Sequence, residues 1–371
     1  MTARKTMAAV LLEAGGQWQI RELDLDPPGE REVLVRVMAT GLCHSDEHVR
    51  SSTTWTVLPL VGGHEGSGIV EEVGPGVTRV AKGDHIVTSF IPVCGRCRYC
   101  STGRQNLCDD GRNAQTGALL DDTYRFHLDG RDAGGMCVLG TFSQYMVISE
   151  NSCVKVDDDL PFDVACLVGC GVTTGWGSSV YAAGVHPGDT VVIMGIGGVG
   201  INAVQGARYA GAKNVIAIDP LEFKLEMAQE CGATHIFTDP AEAKEHVVQL
   251  TRGQLADHAI LTVGEMNEEV ITQGFEMIGK DCQLTITGIG YGLTVHLPGA
   301  AMAGWQKRIQ GVMFGSANPL YDIPRLLGLY RAGQLKLDEL ITRRYRLEEI
   351  NQGYRDLLEG RNIRGVVIHE H

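Results

Sequence analysis

The pattern of hydrophobic and polar positions changes along the chain. Up to about residue 150, short alternating runs such as Glu32–Met38 and Gly68–Val73 are bounded by turn-forming residues. From about residue 188 to 315, apolar strands alternate with helical stretches, which indicates a parallel sheet covered by crossover helices. The pattern therefore predicts an α/β protein in which a β-rich region is joined to a doubly wound sheet.

We predict six strands in the second region and mixed structure after it. The tail has two amphipathic stretches, Asp322–Ala332 and Leu347–Glu359, and a last strand, Gly365–His369. A length of 371 residues exceeds the size at which single cores stop growing, so two domains are expected. The six predicted strands are Thr190–Gly195, Asn214–Asp219, His235–Thr238, Ala259–Gly264, Gln283–Gly288 and Gln310–Gly315.

Composition excludes several classes of function. A net charge of −13 and the lack of a basic run argue against nucleic-acid binding, which needs cations for the phosphates. No apolar stretch approaches the roughly 18 residues that span a bilayer. The N-terminus lacks the features of a secretory signal, and eleven cysteines suit reduced thiols and metal ligands better than disulfides. We expect a cytoplasmic protein with no membrane partner.

One short segment has the spacing of a metal site. Cys94, Cys97, Cys100 and Cys108 follow the pattern C-x₂-C-x₂-C-x₇-C. Zn²⁺ favours four thiolates in closed structural sites, and a single loop with this spacing can supply all four. The segment predicts a structural zinc site.

A glycine motif points to a dinucleotide. The motif follows the apolar strand Thr190–Met194 and opens the helical stretch Val199–Tyr209, which is the context that gives G-x-G-x-x-G its meaning. Its glycines permit a tight turn, the approach of a pyrophosphate and close packing of the helix on the strand. The residues of the motif that we expect to bind the cofactor are Gly195, Gly197, Gly198, Val199 and Gly200.

An acidic residue ends the second strand of this region. Asp219 is placed to accept hydrogen bonds from the adenosine ribose and to repel the additional phosphate of NADP. Lys224, one turn further on, could also reach the ribose. The sequence therefore predicts NAD rather than NADP.

A second set of metal-ligating residue types is spread over the chain. Cys43, His64 and Cys170 each lie in a glycine-rich segment, and each alone is weak evidence. In their order, with Glu65 after His64, the four-cysteine segment and the glycine motif, they resemble the zinc-dependent medium-chain alcohol dehydrogenases over nearly the whole chain. The resemblance implies a GroES-like catalytic domain, residues 1–171 and 316–371, around a Rossmann NAD-binding domain, residues 172–315.

The resemblance also implies roles for individual residues. Cys43, His64 and Cys170 would hold a catalytic zinc ion with one position open, and Glu65 would lie behind it. Asp46 would orient His64. The proton relay would be Ser45 and His48; contacts to the cofactor would come from His44, Thr174, Val199 and Arg364; the substrate pocket would be lined by Trp55, Phe90 and Phe142.

Four segments resemble the actinobacterial nicotinoprotein branch of this family more closely. This branch keeps NAD(H) bound during turnover, is assayed with N,N-dimethyl-4-nitrosoaniline and is thought to pass electrons to mycofactocin. The resemblance implies oxidation of primary alcohols to aldehydes, or the reverse, by a homodimer or homotetramer. Thr262–Asn267 departs from the broader family, because it lacks the acidic or cysteine residue often found before Gly264. The four segments are Gly41–His48, Thr123–His127, Met194–Gly206 and Leu335–Arg344.

Two other interpretations remain open at this point. An alcohol dehydrogenase or thiol-adduct formaldehyde dehydrogenase with exchangeable NAD would share the same motifs. A non-catalytic zinc and NAD redox sensor would also explain them, although such a sensor has no need of a zinc site with an open position. Alcohol oxidation with and without added NAD distinguishes these three interpretations.

Overall fold

The computed structural model describes residues 4–51, 57–288, 290 and 292–371. The chain divides into two compact units, one formed by Met1–Cys170 with Asn318–His371 and the other by Gly171–Ala317. We call them unit 1 and unit 2. In the described ranges, no helix has the length and apolarity needed to cross a bilayer.

The described residues form strands and helices in both units. The strands are β1 Arg4–Leu11, β2 Gln19–Leu25, β3 Glu32–Gly41, β4 Leu60–Val61, β5 Gly66–Val73, β6 His85–Thr88, β7 Phe126–Leu128, β8 Arg131–Gly135, β9 Tyr145–Ser149, β10 Cys153–Val156, β11 Thr190–Met194, β12 Asn214–Ile218, β13 His235–Phe237, β14 Ala256–Leu261, β15 Ile278–Ile286, β16 Arg308–Gly311, β17 Ile341–Arg346 and β18 Arg364–Ile368. The α-helices are α1 His44–Ser51, α2 Arg98–Ser101, α3 Phe162–Ala165, α4 Gly171–Gly177, α5 Gly200–Tyr209, α6 Glu222–Glu230, α7 Pro240–Leu250, α8 Glu268–Met277, α9 Gly299–Gly304, α10 Pro319–Arg331 and α11 Ile350–Leu358.

Unit 1 is rich in β-structure, as the alternating pattern predicts. Strands β1, β2, β7, β8 and β4 close a small barrel, and a seven-stranded sheet runs in the order β10-β6-β5-β3-β18-β17, with β9 also paired to β3. The C-terminal strand β18 lies antiparallel to β3, with Val366 opposite Gly41. This pairing brings the end of the chain beside the turn that follows β3.

Unit 2 is a six-stranded parallel sheet in the order β13-β12-β11-β14-β15-β16. All five residues of β11 and of β12 are buried, as expected for strands covered on both faces. Met194 at the end of β11 is level with Ile218 at the end of β12. Gly195 and Asp219 therefore follow neighbouring strands at the same edge, where doubly wound sheets bind their ligands.

Several predicted boundaries differ from the structure. The predicted strand Gln310–Gly315 is β16, Arg308–Gly311, because Phe314, Gly315 and Ser316 take positive φ values and form a 3₁₀ turn. Strands β14 and β15 begin earlier than predicted, at Ala256 and Ile278. The first turn of the predicted helix Leu347–Glu359 is also 3₁₀, and α11 begins at Ile350.

Candidate functional site

The four-cysteine segment brings its thiols together. The sulfur atoms of Cys94, Cys97, Cys100 and Cys108 all lie within 4.8 Å of one another. Backbone N–H groups point at them: Cys97 N lies 3.3 Å from Cys94 Sγ, and Cys94 N lies 3.3 Å from Cys108 Sγ. Such donors stabilise thiolates. Hydrogen bonds led by the Cys100 N–H lower the pKa of Cys97 to about 6. The loop therefore has the donor set and the preorganisation of a four-thiolate zinc site.

A second group of ligand atoms is assembled from distant parts of unit 1. Cys43 lies between β3 and α1, His64 lies between β4 and β5, and Cys170 is the last residue before α4. Their ligand atoms and a carboxylate oxygen of Glu65 all lie within 4.8 Å of one another. The four residues are buried, from 9% exposed for Cys43 to 0% for Glu65. Two thiols and an imidazole at this separation fit a zinc ion.

The histidine of this group has a fixed orientation. Asp46, fully buried on the first turn of α1, places Oδ1 3.0 Å from Nδ1 of His64. Its Oδ2 accepts a hydrogen bond of 3.2 Å from the backbone N–H of Cys43. Burial opposes protonation of His64, but the Asp46 carboxylate outweighs it and raises the pKa of His64. With Nδ1 directed at Asp46, Nε2 is the nitrogen available to a metal.

The two thiols of the group differ in acidity. A hydrogen bond from Cys170 is the largest cause that lowers the pKa of Cys43, and the same contact raises the pKa of Cys170. The two sulfurs are therefore close enough to interact directly. A divalent cation between them would displace the thiol protons and hold both residues as thiolates.

A buried ion pair closes one side of the group. Arg364, at the start of β18, contacts the Glu65 carboxylate through Nη2, and both side chains are at most 3% exposed. Burial raises the pKa of Glu65 against the opposing effect of Arg364, whereas Glu65 overcomes burial and raises the pKa of Arg364. Gly41 makes room for the pair, because a Cβ there would lie 2.1 Å from Glu65 Oε2.

The other residues predicted for this site lie at different depths. Ser45 is next to the group of Cys43, His64 and Cys170, with its Oγ 3.6 Å from Cys43 Sγ. His44 and His48 are partly exposed and lie one turn apart on α1. The Phe90 ring meets His64 edge to face, with 5.8 Å between centroids.

Two aromatic assignments remain predictions. Phe142 is fully buried and packs against Trp18 at 5.6 Å, within a core cluster. Trp55 lies outside the described residues. Neither position adds to the evidence for a substrate pocket.

In unit 2, the glycine motif has the geometry that dinucleotide binding requires. Gly195 has φ +91°, in the left-handed region, and a Cβ on Gly200 would lie 1.9 Å from the Gly195 carbonyl oxygen. A Cβ on Gly197 would meet nothing within 4 Å, so its backbone borders open space. Gly198 and Val199 complete the turn before α5. This arrangement leaves room for a pyrophosphate at the motif.

Other residues predicted to bind the cofactor lie in the same unit. Asp219 accepts a hydrogen bond of 2.7 Å from Ile196 N, and Lys224 Nζ lies 4.0 Å from its carboxylate. Asp219 is thereby held against the glycine turn. Thr174 is buried in α4, where its carbonyl accepts a hydrogen bond of 2.7 Å from Ser178 Oγ.

Sequence reasoning missed two residues. Thr262 Oγ1 donates to the carbonyls of Met194 and Gly195, at 3.0 and 2.6 Å, and so supports the glycine turn. Its position after an apolar strand was the available signal. Tyr354 on α11 is buried in the cluster beside Asp46, and the sequence carries no local signal for that position.

Comparisons with known proteins agree with this geometry. Residues 29–158 match the family description "Alcohol dehydrogenase GroES-like domain", and residues 198–330 match "Zinc-binding dehydrogenase". A relative from Amycolatopsis methanolica, named "NDMA-dependent alcohol dehydrogenase", is 57% identical over 98% of this chain and 99% of its own. The S-(hydroxymethyl)glutathione dehydrogenase of Paracoccus denitrificans is 36% identical over 98% and 100%.

A solved structure extends the likeness to the fold. The benzyl alcohol dehydrogenase of Acinetobacter calcoaceticus superimposes with a TM-score of 0.91 at 32% identity, covering 99% of this chain and 100% of its own. The predicted combination of a GroES-like domain and a Rossmann-like parallel sheet is confirmed. Zinc and NAD are the cofactors, and small alcohols or aldehydes are the substrates. The chain belongs to the zinc-dependent medium-chain alcohol dehydrogenase family.

Proposed function

We propose that this alcohol dehydrogenase oxidises primary alcohols to aldehydes, or catalyses the reverse reaction, and keeps its NAD(H) bound between turnovers. The observation that carries the proposal is the buried group of Cys43, His64 and Cys170, held by Asp46. The NDMA dependence in the name of the 57% identical relative supports the bound nucleotide, because an artificial acceptor is useful where the nucleotide does not exchange.

We assign the parts of the reaction to both units. Unit 1 would be the catalytic domain and unit 2 the NAD-binding domain, with boundaries close to residues 171 and 316. Cys43, His64 and Cys170 would hold the catalytic zinc, which when bound lowers the pKa of an alcohol by several units. The four-cysteine loop would hold a structural zinc that leaves no position open.

The chain's own residues would then move the proton and bind the cofactor. Ser45, next to Cys43, would accept the alcohol proton, and His48 would deliver it to solvent from the exposed side of α1. Thr174 and Val199 would hold the nicotinamide ring, which when bound supplies the hydride-transfer chemistry. The phosphate contacts would come from His44, Arg364 and the glycine motif, and the adenosine ribose contacts from Asp219 and Lys224.

The remaining assignments concern partners. The electron acceptor would be an external redox cofactor such as mycofactocin, and the assembly would be a homodimer or homotetramer. Trp55, Phe90 and Phe142 would line the alcohol pocket. A cytoplasmic location is supported by the eleven cysteines, which all lie in the described residues and form no disulfide there.

The test is to dialyse the protein extensively, denature it, and quantify NAD(H) in the supernatant by absorbance and mass spectrometry. We expect one nucleotide per chain and alcohol-dependent reduction of N,N-dimethyl-4-nitrosoaniline without added NAD. Nucleotide-free protein that regains activity with added NAD would refute the bound cofactor. Two bound zinc ions with no oxidation of any alcohol would favour a redox sensor.

A further inference from the structure

Tyr354 is buried at the base of the site. It lies on α11 with 3% of its surface exposed, and its ring packs on Trp18 and Phe142 at centroid distances of 6.3 and 6.2 Å. Its hydroxyl group is inaccessible and has no hydrogen-bond partner among the described residues. A buried hydroxyl without a hydrogen-bond partner destabilises the folded protein, so its presence here calls for an explanation.

Tyr354 packs near the segment that contains Cys43 and Asp46. Leu42 and Val49 are members of the same core cluster, and Val49 lies one turn after Asp46 on the same face of α1. Helix α11 approaches this turn closely, because a Cβ on Gly353 would lie 2.4 Å from Leu42 Cδ1. Tyr354 therefore lies beneath the segment that carries Cys43 and Asp46.

Asp46 has lone pairs left to accept a further hydrogen bond. Among the residues that the structure describes, each Asp46 oxygen has one hydrogen-bond partner, His64 or the N–H of Cys43, whereas a carboxylate can accept about four hydrogen bonds. Burial and then the Asp46 carboxylate raise the pKa of Tyr354 well above its usual value, which places that carboxylate close to the hydroxyl. A carboxylate only accepts hydrogen bonds, so the hydroxyl is the donor in such a contact.

We propose that Tyr354 is a positioning residue of the catalytic metal site, and that its hydroxyl donates to Asp46 when His64 holds the metal. The chain of contacts Tyr354–Asp46–His64 fixes the carboxylate, which fixes the imidazole with Nε2 toward the metal. Outer partners of this kind are worth about 10–100-fold in metal affinity. The inference rests on the proposed zinc ligands.

The experiment compares zinc release from the holoenzyme of wild type and Tyr354→Phe, using a chromophoric chelator and no alcohol. We expect one of the two zinc ions to leave about tenfold faster from Tyr354→Phe, while the other leaves at the wild-type rate. The matched control is Tyr345→Phe, since Tyr345 is as buried, lies in the same cluster and donates to Asp356 at 2.7 Å. The control should change neither rate.

A double variant keeps the test specific. In Asp46→Ala the acceptor is gone, so adding Tyr354→Phe should not speed zinc release further. Effects that add, or wild-type release from Tyr354→Phe, would overturn the inference. A wild-type enzyme with only one zinc ion, held by the four-cysteine loop, would instead refute the proposed zinc ligands.

Discussion

The two cysteine-rich sites of unit 1 are built in different ways. Residues 94–108 supply four thiols from one loop, partly exposed and surrounded by backbone N–H donors. Cys43, His64 and Cys170 come from three distant segments, are buried, and lie among the charges of Asp46, Glu65 and Arg364. The four-cysteine loop supplies all its ligands from one segment. The assembled site instead requires the fold of unit 1 to bring its ligands together, and that fold also places titratable groups around them. The second arrangement is the one to which we propose to assign catalysis, because perturbed titratable groups cluster at functional sites.

The largest expected effect comes from removing one ligand at each site. Cys170→Ala should lower alcohol turnover about a thousandfold or more, because the several kcal/mol of charge stabilisation by zinc are lost. Cys108→Ala should instead lower the melting temperature and retain turnover of the molecules that stay folded. Turnover and thermal unfolding of both variants provide the check. Full activity of Cys170→Ala would contradict the proposal that the assembled site is catalytic and the four-cysteine loop structural.

The contribution of the buried Glu65–Arg364 ion pair can be tested by measuring the free energy of unfolding. Arg364→Met leaves Glu65 buried without its partner, which should cost about 3–5 kcal/mol of unfolding free energy. Arg344→Met breaks an ion pair with Asp163 whose arginine is 54% exposed, so it should cost at most about 1 kcal/mol. Urea unfolding measures both. Equal losses of unfolding free energy in the two variants would mean that the buried Glu65–Arg364 pair stabilises the protein no more than an exposed ion pair does.

A pair of glycine variants compares the space around each site. At Gly41 a methyl group would collide with Glu65 and Arg364, so Gly41→Ala should cost about 1–3 kcal/mol and also lower turnover. Gly95→Ala in the four-cysteine loop meets nothing within 4 Å but has φ +76°, so it should cost about 1–2 kcal/mol and spare turnover. Unfolding and steady-state kinetics separate the two. Unchanged turnover in Gly41→Ala would contradict this expectation.

The smallest expected effect concerns the proton relay. His48→Ala should slow alcohol oxidation only roughly tenfold, because solvent can partly replace the histidine. The loss should be largest at low pH. The control is His127→Ala, since His127 lies on the barrel strand β7, contacts Asp26 and Asp132, and is outside the predicted relay. Turnover as a function of pH checks this. Identical profiles for wild type and His48→Ala would exclude His48 from the relay.

A site whose ligands come from one segment can be predicted from the sequence more easily than a site assembled from distant segments. The four-cysteine loop could be predicted from spacing alone, because all four ligands lie between residues 94 and 108. The glycine motif and Asp219 could also be predicted, since parallel strands carry both to one edge. Cys43, His64 and Cys170 needed the family resemblance, because no local pattern links them.

Some features could not be predicted in this way. The place of Tyr354 beside Asp46 depends on the packing of α11 against Leu42, a contact between residues about 300 positions apart in sequence. The end of β16 was predicted too late, because apolar residues continue past Gly311 and only the backbone shows the positive φ values that stop the strand. Periodicity reports burial, and it does not report such turns.

The most direct test of the two zinc assignments is a crystal structure of the active enzyme with a non-reactive alcohol analogue bound. Anomalous diffraction recorded at the zinc edge would locate the zinc ions. We predict two peaks per chain, one surrounded by Cys94, Cys97, Cys100 and Cys108, and one bound by Cys43, His64 and Cys170 with the analogue as a further ligand. Crystals of active enzyme that lack the second peak, or that show the analogue away from it, would contradict the assignment of catalysis to the assembled site.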